Sequence, residues 1–184
     1  MLVAQEMVIF PGVLLWNRVE DELGLSEDRY KVLYAKCVDN SDLKLKGQTD
    51  YLRHICKNDD EYFAALLISG VTTQFYVSDS KKKKTLISYF KQREKGLNFK
   101  DIENFDNVVD QFGLTPPRLS EIFKGYNETI KGRNPQKMGL QTQIKIMSLV
   151  CANINELTIC LINVGMYTWN WYVVNNQVHG TDIK

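Results

Sequence analysis

The stretch Leu140–Val174 constrains this chain more than any other, because Lys145 and Glu156 are the only charged residues in it. Beyond it, His179 is the sole residue of acidic or basic type from Leu157 to Gly180. Leu, Ile, Val, Met, Trp and Tyr fill most positions, as expected where a segment is enclosed by the rest of the fold. A membrane-spanning helix needs roughly 20 predominantly apolar residues. The best window, Leu157–Val174, falls short and carries Thr158, Asn163, Thr168 and Asn170, so the sequence predicts a core element and no membrane span. Within the window the pattern changes after Gly165. Leu157, Cys160, Leu161 and Val164 follow helical spacing, whereas Tyr167, Trp169, Trp171 and Val173 alternate with more polar residues. That alternation predicts a strand, turning at Asn175-Asn176 into a short C-terminal β-hairpin back through Val178.

The remaining residues read as cover for this core. The 184 residues, 44% hydrophobic and 24% charged, fit one domain spanning 1–184. Phe10-Pro11-Gly12 breaks the first apolar run, after which Leu15, Trp16, Val19 and Leu23 predict a helix stopped by Gly24. Ser26 caps the next, where Tyr30, Leu33, Tyr34 and Cys37 form a stripe. Thr49 or Asp50 is expected to cap a turn carrying Leu52, Ile55 and Cys56. Glu61–Phe75 reads as a buried helix, with a strand over Val71–Val77 as the alternative. Further helices are expected over Lys81–Lys95, Phe99–Phe112 and Pro117–Lys131, the last opened by Thr115-Pro116. The fold class is therefore mainly α: a single-domain bundle of about eight helices. No internal repeat is evident in the sequence.

Function is less legible. Net charge is only +1, but it is unevenly spread: residues 1–80 hold 8 Lys/Arg against 13 Asp/Glu, and residues 81–137 hold 13 against 7. The basic middle predicts a face for an anionic partner, protein or nucleic acid. Lys81, Lys82, Lys83, Lys84, Lys91 and Arg93 would meet that partner, since a lysine run at a helix start opposes the macrodipole and gains from a compensating anion. Val108–Lys124 supplies the alternative, a helix-turn-helix-like DNA-binding regulator. Val108, Phe112, Leu114, Leu119 and Ile122 fall where two such helices pack, and Arg118, Ser120 and Lys124 would reach DNA. Pro116-Pro117 stands where base-reading side chains belong. Lys83–Phe90 also resembles the short motif by which partners dock on sliding clamps, with Leu86, Tyr89 and Phe90 as anchors, though it lacks the leading glutamine.

Catalysis is the third reading. His54 and His179 have no sequence-local acid partner, Asp59-Asp60-Glu61 suits helix capping, and no phosphate loop or nucleophile elbow occurs. An active site would have to be assembled from distant residues. Cys37, Cys56, Cys151 and Cys160 lack the close pairing of a metal knuckle or redox site and are expected to be buried free thiols. Neither a metal nor a cofactor is implied. The absence of a basic run before the apolar Val8–Trp16 argues against a secretory signal, so the expectation is an intracellular, reducing compartment.

Overall fold

The computed structural model describes residues 7–40, 42–77 and 96–179. Among them are eight α-helices and no strand: α1 Trp16–Leu23, α2 Glu27–Cys37, α3 Leu45–Ile55, α4 Asp59–Val77, α5 Phe105–Phe112, α6 Pro116–Thr129, α7 Leu140–Val150 and α8 Ile154–His179. Short 3-10 helices lie at Pro11–Leu14 and Lys100–Glu103, each leading into the next α-helix. Among the described residues no helix is long and apolar enough to cross a membrane.

The buried helix expected over Glu61–Phe75 is present, and two local expectations and one alternative are corrected. Tyr167–Val173 and the Asn175-Asn176 pair lie inside α8, so there is no C-terminal hairpin. Trp169 and Tyr172 are both fully buried, and a helix covered on almost every side loses the polar stripe that marks helical period. Val71–Val77 is the end of α4. Thr49 is not a cap: α3 begins at Leu45, and the Thr49 hydroxyl donates to the Lys46 carbonyl one turn back. The predicted Lys81–Lys95 helix lies outside the described residues.

The order of elements occurs twice. A 3-10 turn, a short helix, a left-handed glycine, a capped helix, an 11-residue helix and a long core helix run from Pro11 to Val77, then again from Lys100 to His179. Gly24 (φ 76°) corresponds to Gly113 (φ 70°), Ser26 to Thr115 and Arg29 to Arg118, each pair 89 positions apart. From α3 and α7 onward the spacing is 95, matching Cys56 with Cys151, Asn58 with Asn153, Glu61 with Glu156, Gly70 with Gly165 and Thr73 with Thr168. The chain therefore carries an internal structural repeat, which corrects the expectation of no repeat.

Contacts between the two units are reciprocal, and exchange of equivalent partners is the signature of a two-fold relation. The Phe10 amide donates to the Thr168 hydroxyl at 2.9 Å, and the Phe99 amide to the Thr73 hydroxyl at 2.9 Å. Glu22 on α1 accepts from the Leu140 amide at the start of α7, while its counterpart Gln111 on α5 accepts at the start of α3 from the Lys46 amide, one residue beyond the counterpart of Leu140. At the centre α4 and α8 cross through glycine. A Cβ built on Gly70 would overlap the Ile162 carbonyl oxygen, and one on Gly165 would overlap the carbonyl oxygen of Leu67. Only glycine allows two helix backbones this close.

Each unit is closed by a clamp at the start of its core helix. Arg29 donates from Nε and Nη2 to the two carboxylate oxygens of Glu61 at 3.1 and 2.9 Å, and from Nη2 to the Ile55 carbonyl. Arg118 does the same to Glu156 at 2.9 and 3.1 Å and reaches the Val150 carbonyl. Each glutamate also accepts a backbone N–H, from Lys57 or Ala152, and its own amide donates to the capping Asn58 or Asn153. A planar fork matched to a carboxylate ties the second capped helix to the core helix in both units.

These clamps make an acid-stability prediction. Burial pushes the Glu61 carboxyl up, but the Arg29 guanidinium and the Lys57 N–H together hold it below the usual carboxylate range. Glu156 is lowered mainly by its bonds to Arg118, against burial. A carboxyl with a depressed folded pKa contributes stability that is complete above its unfolded value, about 4.5, and is lost as pH falls through the folded value. Urea midpoints should therefore be level from about pH 7 to 5.5 and fall below about pH 4.5. Glu156→Gln should flatten that fall.

Candidate ligand-binding cavity

The two units differ where the segment before each 3-10 helix crosses the other unit, at Phe10 and at Phe99. In one place the Tyr126 ring, fully buried on α6, packs 5.8 Å from Phe10, with its hydroxyl beside the buried Gln143 amide. Burial pushes that phenol up to about 12. The equivalents of Tyr126, Phe10 and Gln143 are Cys37, Phe99 and Gln48. A thiol thus stands in the position of a whole aromatic ring, and a cavity of about 490 Å³ lies there, bordered by Cys37, Phe99 and Gln48. That volume is within the range of small-molecule sites, roughly 300–1,000 Å³.

Much of the rest of the lining is more polar than its counterpart, although Val38 stands where the other unit has Asn127. Asn98 stands where the other unit has Ile9, Lys100 where it has Pro11, Asp101 where it has Gly12, and Tyr51 where it has Ile146. Tyr34 and Tyr76 replace Phe123 and Trp171. A filled contact in one unit, with the Tyr126 hydroxyl and the Gln143 amide buried in it, corresponds to an open polar-lined space in the other. The Asn98 side-chain oxygen is buried without a hydrogen-bond partner. Such an acceptor costs about 1–3 kcal/mol unless something donates to it.

Burial pushes the Cys37 thiol up to about 11. The thiol is therefore neutral near pH 7 and contributes a small, weakly polar surface instead of a nucleophile. Cys56, next to the Arg29–Glu61 clamp, is pushed up to about 12 by burial and by the Glu61 charge. All four cysteines are free; Cys160 is buried and the other three are half-buried. Among the described residues no group of His, Cys, Asp and Glu is arranged to hold a metal ion.

The residues expected to meet an anionic partner are distributed differently. Lys81, Lys82, Lys83, Lys84, Lys91 and Arg93 lie outside the described residues, as does the Lys83–Phe90 motif. Lys124 is exposed and Ser120 half-buried on α6. Arg118 binds Glu156, donates from Nη1 to Glu121 at 2.6 Å, and is held in place by the clamp. The helix-turn-helix-like pair exists as α5 and α6, with Val108, Phe112, Leu114, Leu119 and Ile122 all buried. Its twin is α1 and α2, where Val19, Leu23, Leu25, Tyr30 and Leu33 fill the same positions. The spacing that resembles a DNA reader is thus one half of a repeated scaffold unit. His54 is exposed near the end of α3.

No family model, curated protein or solved structure matches this chain.

Proposed function

We propose that the chain is a small-molecule-binding protein built on a repeated helical scaffold, with the cavity beside Cys37 as its ligand site. The observation that carries this reading is the exchange of the Tyr126 ring for the Cys37 thiol at equivalent positions. A ring removed from a close-packed interior would ordinarily leave a dry, apolar void or a collapsed one. Here the lining has instead gained an amide, a lysine, an aspartate and phenols relative to its twin. The space opens to solvent where Tyr76, Lys100 and Asp101 are exposed, so its polar groups stay hydrated and are available to a ligand that enters from that side. The neutral thiol favours recognition over covalent chemistry. An anionic partner remains a separate proposal; it rests on charge distribution and not on a built site among the described residues.

The test is to refill the space as the other unit does. Cys37→Tyr should raise the melting temperature by about 2–4 °C, equivalent to roughly 1 kcal/mol for a chain of this size. Members of a fragment library that raise the melting temperature of the native chain should leave the variant unmoved. A native chain that responds to no fragment, or a variant that responds equally, would refute the reading.

A further inference from the structure

We propose that Cys151 and Cys160 form an oxidant-sensitive dithiol that closes reversibly to an intramolecular disulfide, in the second unit alone. Nine positions separate the two residues in sequence, but the end of α7 and the second turn of α8 bring their sulfurs to 4.0 Å. A disulfide is about 2.05 Å long, so the sulfurs must approach by about 2 Å. Cys151 supplies that movement: it caps α7 in extended backbone (φ −86°, ψ 145°) and opens the connector to α8. Cys160 is fully buried within α8 and stays in place. The half-buried Cys151 therefore meets the oxidant, a peroxide, first. Its sulfur attacks a peroxide oxygen, giving a sulfenic acid and water. The Cys160 sulfur then attacks the Cys151 sulfur, and its proton leaves with the sulfenic hydroxyl as water. Two thiols and one hydrogen peroxide thus become one disulfide and two waters. Burial and the neighbouring thiol push the Cys160 thiol up, so its advantage in this step is proximity and not thiolate character.

The first unit keeps only half of the pair. Cys56 corresponds to Cys151, but the counterpart of Cys160 is the fully buried Ala65. Cys151 also stands between two backbone groups of its clamp: the Val150 carbonyl accepts from Arg118, and the Ala152 amide donates to Glu156. Drawing residue 151 toward α8 moves both, so the Arg118–Glu156 clamp senses the bond and the Arg29–Glu61 clamp does not.

The test is to treat the full chain with a small excess of hydrogen peroxide, block the remaining thiols by alkylation, and follow intact mass and non-reducing peptide maps. The expected result is a loss of about 2 Da, a cross-link joining Cys151 to Cys160, and full reversal by dithiothreitol. Cys160→Ala, which installs the residue of the other unit, should carry a dimedone-trapped sulfenic acid at Cys151 and no cross-link. Because that change also removes a buried sulfur, the native chain provides a second readout. On oxidation its Ala152 and Glu156 amide signals should shift, while those of Lys57 and Glu61 should hold. A cross-link between Cys37 and Cys56 instead, or a mass loss that persists in Cys160→Ala, would overturn the pairing. So would native Cys151 that passes to the sulfinic acid without cross-linking, or four thiols that all stay reduced. Unmoved Ala152 and Glu156 amides in the cross-linked chain would overturn the link to the clamp.

Discussion

Gly70→Ala should destabilise the fold by about 3 kcal/mol or more, at or beyond the upper end of what an added methyl does in a packed core. The added Cβ would overlap the Ile162 carbonyl oxygen and lie 2.9 Å from the Gly165 Cα. Those are backbone atoms, which cannot rotate aside as a side chain would. Relief requires α4 and α8 to separate along their whole crossing, and the largest buried side chains, Trp169 and Tyr172 among them, pack on those helices. Gly165→Ala should be equally harmful, because the contact is reciprocal. Gly125→Ala on α6 should do the opposite. Its Cβ would lie 3.6 Å from Val150, an ordinary contact, so the helix propensity gained from alanine should appear as about 0.5–1 kcal/mol of added stability. Urea denaturation of the three variants checks both signs. A Gly70→Ala chain as stable as the native one would mean that the two core helices do not meet backbone to backbone.

Arg29→Ala should cost about 3–5 kcal/mol, the usual range when one partner of a buried ion pair is removed and the other is left uncompensated. The Glu61 side chain is 4% exposed and the Arg29 side chain 19%, so water cannot replace the lost guanidinium. Arg118→Ala should cost less, since its side chain is 31% exposed and Glu156 is 10% exposed. Arg29→Lys should recover only part of the loss. An ammonium cannot span both carboxylate oxygens and the Ile55 carbonyl as the planar fork does. A double-mutant cycle with Glu61→Ala separates the pair's coupling from lost packing. A cost for Arg29→Ala below that of Arg118→Ala would contradict the ranking by burial.

Helix existence was legible wherever a polar face alternates with a core face. Ser26, Thr115, Gly24 and Gly113 marked their boundaries because capping and left-handed stops demand particular residues. Reading failed where burial erased the contrast. The second half of α8 has apolar residues on nearly every side, so Tyr167–Val173 looked like alternation. The helix expected over Phe99–Phe112 is a 3-10 turn and then α5, because the Asn104 side chain accepts from the Asp106 amide and starts a new helix.

The repeat is hidden in the sequence for a physical reason. Residues kept between the units are those with a task nothing else performs: the left-handed glycines, the clamp arginines and glutamates, the crossing glycines and the Thr73–Thr168 acceptors. The core positions between them exchange freely among hydrophobes, as Leu33 with Ile122 or Leu52 with Met147, since a core tolerates such swaps at constant volume. A longer capped helix and a longer connection in the second unit then shift the spacing from 89 to 95 and break any single-offset comparison. The cavity was illegible for the same reason. Cys37 is an unremarkable half-buried thiol until it is set beside Tyr126.

The most direct test of the ligand-site reading is a carbon–proton correlation spectrum with the tyrosine rings labelled, recorded with and without a fragment that raises the melting temperature. The account predicts shifts at Tyr34, Tyr51 and Tyr76, none at the buried Tyr126, and none at all in Cys37→Tyr. Shifts at Tyr126 or Tyr62 with the three lining phenols unmoved, or an unchanged response in Cys37→Tyr, would contradict it.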